Sequence, residues 1–348
     1  MKIYCLIPLC LLIACNNQDE KIDLKAKETA DQALVNISQN VYYETYIKLD
    51  SAALSLYQQC QALESSKTDA ALITCKASWL STRRYWEYAE AWLFGPVSTE
   101  SIDPSIDTWP IDYKVIQSMS VDSIVWSDSM LSSLESSSKG FHPIEFILWG
   151  IEGNKTALNL TSGELHLLTG LAKDLYQKVH QLKRAWSLNG QAYLLNLTHY
   201  PNSLYSNLQS VLLEILNAQA GICDEVANGK ISEVMILQDR LAVESPFSGN
   251  SMNDFKHNIE GVEMVYTGDF ALQDGKGISD IVKLYNLDLN RRVIKAIDDA
   301  KFSLSQVSLP FEQAIYQQPV QLQNAVDKIN ALEALLSDEV VDLIKNHF

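Results

Sequence analysis

The stretch "SWLSTRRYWEYAEAWLFGP", residues Ser78 to Pro96, decides the fold. Trp79, Trp86 and Leu93 recur every seven residues, and Leu72 and Ala89 extend the same stripe. Large apolar side chains at that spacing share one helix face, and such a face packs into a core. Gly95-Pro96 then stops the helix. Upstream, the chain holds neither Gly nor Pro from Leu9 to Phe94. Beyond its first residues this reads as two long helices folded back at Ser65–Thr68. The whole chain has only 14 Gly and 9 Pro in 348 residues, well under the usual share of about one in eight. Few breakers favour long helices over many short strands.

The same stripe carries charge. Arg83 lies four residues after Trp79, Glu90 four after Trp86, and Glu87 four after Arg83. Charges on a tryptophan-bearing face need partners, because an unpaired buried charge is costly. Two readings stay open. Arg83 forms an internal ion pair with Glu87 or Glu90, or Glu90 is a carboxylate ligand that Arg83 orients. Trp86 would then line the same site.

Residues Val97 to Asp112 contain Pro104 and Pro110 and read as a long irregular loop, a type of segment often functional in compact domains. Its Asp103, Asp107 and Asp112 are candidates to close over the charged stripe, or serve as turn and cap residues. Short helices are expected around Tyr113–Met119 and Ser120–Leu134. Next comes "GFHPIEFILWG", Gly140 to Gly150, with His142 and Glu145 inside an apolar run. Residues at i and i+3 lie on one helix face, so imidazole and carboxylate can converge on one point. Such a pair suits zinc or iron, and carboxylate-rich sites lean towards iron or manganese. The other reading is a helix start, with His142 as cap and Glu145 bonding back to it.

With 348 residues, two domains are expected. The junction is expected in residues 150–162, dividing the chain into 15–158 and 159–348. Thr161-Ser162-Gly163-Glu164 is a capping box before an apolar run. Further helices are expected over Ser203–Asn228, with Gly229 as the stop, and over Ile278–Leu309 and Val320–Phe348. No stretch shows sustained period-two alternation. The class is all-α, as two helical bundles.

Acidic residues outnumber basic ones, 43 to 27, a net charge of −16. That argues against nucleic acid, whose affinity comes largely from neutralised phosphates. The N-terminus, with one Lys and an apolar run from Ile3 to Ala14, is too short to span a bilayer. It reads as a signal peptide over residues 1–14. Leu12-Ile13-Ala14-Cys15 resembles a bacterial lipobox, making Cys15 the lipidated first residue of the mature chain. The expected location is outside the cytoplasm, lipid-anchored at a membrane such as the outer membrane, on its periplasmic or surface face. Disulfides are allowed there. Cys60 and Cys75 are equidistant from the Ser65–Thr68 turn and are expected to be bonded, with two unpaired buried cysteines as the alternative. Cys223 is left for the core.

Four ordered blocks carry a resemblance. "GFHPIEFILWG" resembles the Gly-x-His-x-x-Glu motif of the imelysin-like family, the M75 peptidases. "RRYWEYAEAWLFGPVS" resembles that family's helix ending in Phe-Gly-Pro, and "IDPSIDTWPID" its Asp-rich loop ending in Trp-Pro. "SPFSGNSMNDFKHNIEGVEMVYTG" resembles its C-terminal block, a Ser-x-Asn element before a helix ending in Tyr-x-Gly. The resemblance implies two helical bundles with a functional cleft between them. It implies a divalent or ferric metal ion, iron rather than zinc, at His142, Glu145, Glu90 and Asp107. Ser248 and Asn250 would face the cleft, beside Arg83, Glu87 and Trp86. "SPFSGN" lacks the His and Cys that some members place before the Ser-x-Asn element.

The expected function is metal or metal-complex binding in iron acquisition, with outer-membrane uptake components as candidate partners. One alternative is a metallopeptidase, although the sequence holds neither His-Glu-x-x-His nor a recognisable nucleophile constellation. The other is a surface binding protein without metal.

Overall fold

The structure, a computed structural model, describes residues 13–122, 124–270 and 273–348. The leader expected over residues 1–14 lies almost wholly outside the described residues, as does the side chain of Cys15.

Helix follows helix, and no named strand occurs among the described residues. α1 (Ile13–Asn36) runs through a π-helical segment, Ile37–Tyr43, into α2 (Glu44–Ser66). The fold-back comes where the sequence places it. Lys67 takes the left-handed conformation that ends α2, and the Thr68 side chain caps α3 (Asp69–Ala89) by accepting from the Ala71 N–H. Along α3 the stripe faces inward: Leu72, Cys75, Trp79 and Trp86 are buried. A 3₁₀ turn, Glu90–Trp92, continues it before Gly95-Pro96 redirects the chain.

Cys60 and Cys75 face each other across α2 and α3, buried, with Sγ atoms 3.1 Å apart. The two positions face each other, as their equal distance from the turn predicts, with the sulfurs in contact. Cys223 is buried in the core as expected.

The segment after α3 is more ordered than its composition suggests. It forms one-turn helices at Pro96–Thr99 and Asp103–Ile106, then a helix at Tyr113–Met119 with Asp112 as its cap. The motif helix α4 (Phe141–Trp149) is buried along its whole length. It begins at Phe141, one residue before His142, and its cap residue is Gly140, with no side-chain cap. Gly140 is required there: its φ is +86°, and a Cβ would sit 2.2 Å from the Ile106 carbonyl oxygen.

α5 (Ser162–Trp186) starts with the Thr161/Glu164 capping box. Although it follows the expected boundary at 158/159, it packs along α2. α6 (Leu208–Asp224) does not stop at Gly229. The chain stays helical through a π segment, Glu225–Glu233, to Leu237. One glycine costs a helix only about 1 kcal/mol, and burial of Val226, Ala227 and Ile231 offsets it.

α7 (Ser251–Thr267) lies against α3. The approach is close because Gly261 sits at the crossing: a Cβ there would meet the Tyr88 carbonyl oxygen at 2.3 Å. The single helix expected over 278–309 is two, Ile278–Tyr285 and α8 (Leu287–Ser305). Asn286 breaks the run and caps the second by accepting from the Leu289 N–H. α9 (Pro319–Ala334) packs on α8 and continues through a π segment to His347. Buried residues from both halves of the chain form one core cluster.

Candidate functional site

The charged face of α3 points into the space between α3, α4, the 103–113 segment and α7. Arg83 is fully buried, and its guanidinium reaches four carboxylates. It donates to Asp107 through one terminal nitrogen. The other lies 2.5 Å from Glu87 and 2.9 Å from Glu244, and Nε is 3.6 Å from Asp254. Both ion-pair readings were incomplete, since Arg83 bridges several chain segments. Glu90 pairs instead with Lys230, whose Nζ is 2.8 Å away and also 2.7 Å from Glu244.

The tryptophans on this face position the site as well as pack. The Trp79 indole donates to the Phe141 carbonyl at 3.0 Å and fixes the start of α4. The Trp86 indole donates to Asp107 Oδ2 at 2.6 Å. Asp107 therefore takes Trp86, Arg83 and His142 at once. Burial works against its charge, but Arg83 and the His142 contact outweigh it and hold the carboxyl well below the usual range.

His142 and Glu145 meet, as their spacing predicts, with Nδ1 3.3 Å from Oε2. The other ring nitrogen is 3.1 Å from Asp107. Burial would lower the imidazole pKa, but two flanking carboxylates push it up to about 9. His142 is thus held as an imidazolium between them. Glu145 does not cap its own helix. Its Oε1 accepts from the Phe247 N–H at 3.1 Å, and from the Ser248 N–H and Oγ at 2.7 Å each. Asn250 does not reach this pair; it donates to Asp254 at 2.6 Å, as does Ser245. Ser248 and His142 are separated by the Glu145 carboxylate, so hydroxyl and imidazole are not in the contact that a serine nucleophile requires.

The second half of the chain supplies residues that sequence reading missed: Lys230, Glu244, Asp254 and Asn258. Asn258 Nδ2 lies 2.8 Å from Glu87 Oε2 and 2.7 Å from Glu90 Oε2. Asp254 and Asn258 are four apart on the buried face of α7, a polar pair at core spacing that could have been noticed. Nothing local marks Lys230.

Four carboxylates, Glu87, Glu90, Asp107 and Glu244, each offer an oxygen within 4.8 Å of the others. Asp107 and Glu90 belong to the expected ligand set; His142 and Glu145 stand behind Asp107. The all-oxygen donor set fits a hard cation better than zinc. Charge counting points the same way. Six buried carboxylates (Glu87, Glu90, Asp107, Glu145, Glu244, Asp254) face three cations: Arg83, Lys230 and protonated His142. At full ionisation the cluster lacks three positive charges. Without a cation, protons must make up the deficit. Burial pushes Glu90 up to about 8 and Asp254 to about 7, and raises Glu87 well above the usual range. Glu244 Oε2 is buried with no hydrogen-bond partner, an acceptor left open towards an ion or water. The cavity beside His142 and Glu244, walled by Trp109, Tyr113 and Phe247, holds about 10 Å³. That is room for one water or ion.

A family model described as imelysin, peptidase M75, matches residues 42–338. Iron-regulated protein A of Synechococcus elongatus is 28% identical over 242 residues, covering 68% of this chain and 64% of that protein. The chain thus spans under two thirds of that relative's length. Two crystal structures share the fold. One, an iron-regulated protein A precursor from Parabacteroides distasonis, has a TM-score of 0.80 at 21% identity, covering 91% of this chain and 95% of that one. The other, an imelysin-like protein from Psychrobacter arcticum, has a TM-score of 0.74 at 14% identity, covering 91% and 96%.

Proposed function

The chain belongs to the imelysin family, peptidase M75, and on that premise we propose that it binds a metal ion, iron before other cations, at the Glu87–Glu90–Asp107–Glu244 cluster. The observation that carries the reading is the charge deficit at converging carboxylates: four oxygens within 4.8 Å, in a buried cluster three positive charges short. Hard trivalent or divalent ions answer that deficit. The name of the Synechococcus relative, iron-regulated protein A, supports iron. In this reading Arg83, Trp86 and His142 orient Asp107, and Asn258 orients Glu87 and Glu90. Glu145 holds the 247–248 backbone over the site. The leader and Leu12-Ile13-Ala14-Cys15 support a lipid-anchored protein outside the cytoplasm, which would present the ion to uptake components at the membrane.

The test is metal content and metal-induced thermal stabilisation of purified protein after iron loading. Wild type should hold about one ion per chain, and Glu90→Gln with Glu244→Gln should lose it. His142→Ala should weaken binding by loosening Asp107, on the order of 10–100-fold for an outer-shell partner. A wild-type protein with neither bound metal nor a stabilisation after loading sinks the proposal.

A further inference from the structure

We infer that Lys230 is a tethered counter-ion which an incoming metal must displace, and that it thereby sets which cations the carboxylate cluster admits. The inference rests on the metal-binding reading above. Lys230 is 1% exposed, yet its ammonium lies where two of the four candidate ligands converge, 2.7 Å from Glu244 and 2.8 Å from Glu90. A cation using those oxygens and the Lys230 ammonium cannot both occupy that corner. Arg83 is not the movable charge. Its planar guanidinium is spread over Asp107, Glu87 and Glu244 and lies 5.2 Å over the Phe141 ring. Lysine is a compact charge on a flexible stem, and Lys230 has somewhere to go. Glu225, five residues back on the same π-helical segment, has Oε1 3.8 Å from Nζ and a side chain 48% exposed. A small rotation of the stem carries the ammonium from the buried pair to this carboxylate at the protein surface.

A charge tethered to the site competes as if present at millimolar or higher effective concentration. Cations that bind carboxylates weakly lose to it. Ions of high charge density win, because they gain an oxygen from each of the four carboxylates at once, while Glu244 Oε2 stands beside them without a partner. Lys230 therefore acts as a threshold against abundant, weakly held cations.

The experiment is Mn²⁺ binding by equilibrium dialysis, with thermal unfolding in its absence and presence, for wild type, Lys230→Met and Glu225→Gln. Lys230→Met should bind Mn²⁺ about tenfold or more tightly, while melting lower than wild type without metal. The gap in melting temperature should close as Mn²⁺ saturates. A purely structural lysine predicts the opposite: weaker binding and a gap that persists. Glu225→Gln, at a half-exposed position, should weaken Mn²⁺ binding by about two- to threefold. It decides the matter should Lys230→Met not fold. A wild type that binds Mn²⁺ beside a Lys230→Met protein that binds no tighter overturns the role of Lys230. So does an unchanged Glu225→Gln. If no protein binds Mn²⁺ and iron loading also fails, the metal reading falls with it.

Discussion

The two halves of α3 bury equally and by different physics. From Leu72 to Trp79 the inward face is apolar, and the Trp79 indole N–H needs only one outside partner, the Phe141 carbonyl. From Arg83 to Glu90 the inward face is charged, just as buried, and stable only because four other segments supply partners. One helix thus shows what a core needs when it is oil and what it needs when it is ions. The first tolerates approximate shape; the second demands a complete set of groups.

The sharpest way to break the comparison is to truncate each half once. Trp79→Ala and Arg83→Ala should both cost about 3–5 kcal/mol, measured by chemical denaturation. The losses should differ in kind. The Trp79→Ala loss should be nearly independent of pH. The Arg83→Ala loss should grow as pH rises, because Glu87, Asp107 and Glu244 lose their shared cation. Equal pH profiles would mean that the lower half is not an ionic core.

A second measurement uses wild type without metal. Glu90 and Asp254 have pKa values raised to about 8 and about 7. The folded state therefore keeps protons that the unfolded chain has released, and this contribution is lost as pH rises from about 4 to 8. His142, raised to about 9, contributes stability that is full below about 6.5 and lost as pH climbs through 9. Asp107 runs the other way, but its window lies below about pH 4. Stability without metal should therefore fall between pH 6 and 9, by an amount on the order of a few kcal/mol. Saturating metal should flatten the decline. A metal-free protein whose stability is flat or rises over that range contradicts the charge count.

The smallest expected effect is Ser248→Ala. Glu145 keeps both backbone donors and His142, and loses one hydroxyl at 2.7 Å. The cost should be about 1–2 kcal/mol, with metal affinity lowered little. A loss of metal binding in this variant would make the hydroxyl part of the site.

The upper half of α3 was legible in the sequence for a simple reason. Its stripe, the Lys67–Thr68 turn and the capping box at Thr161 are local, and local rules reach them. The His142–Glu145 contact was legible too, since it spans one helical turn. The role of Glu145 was not, because its partners are Phe247 and Ser248, more than a hundred residues away. Local spacing suggested a cap and the resemblance suggested a ligand; tertiary packing made it an anchor for the second half of the chain. Lys230 was invisible for the same reason. Beside Gly229 it looks like a surface residue after a helix stop, and only the continued helix turns it inward.

Asn258 meets Glu87 across 171 positions of sequence. No short fragment of this protein holds even a rough version of the cluster. Until Lys230, Glu244, Asp254 and Asn258 are in place, Glu87, Glu90 and Asp107 have no partners from the second half of the chain to fix their geometry.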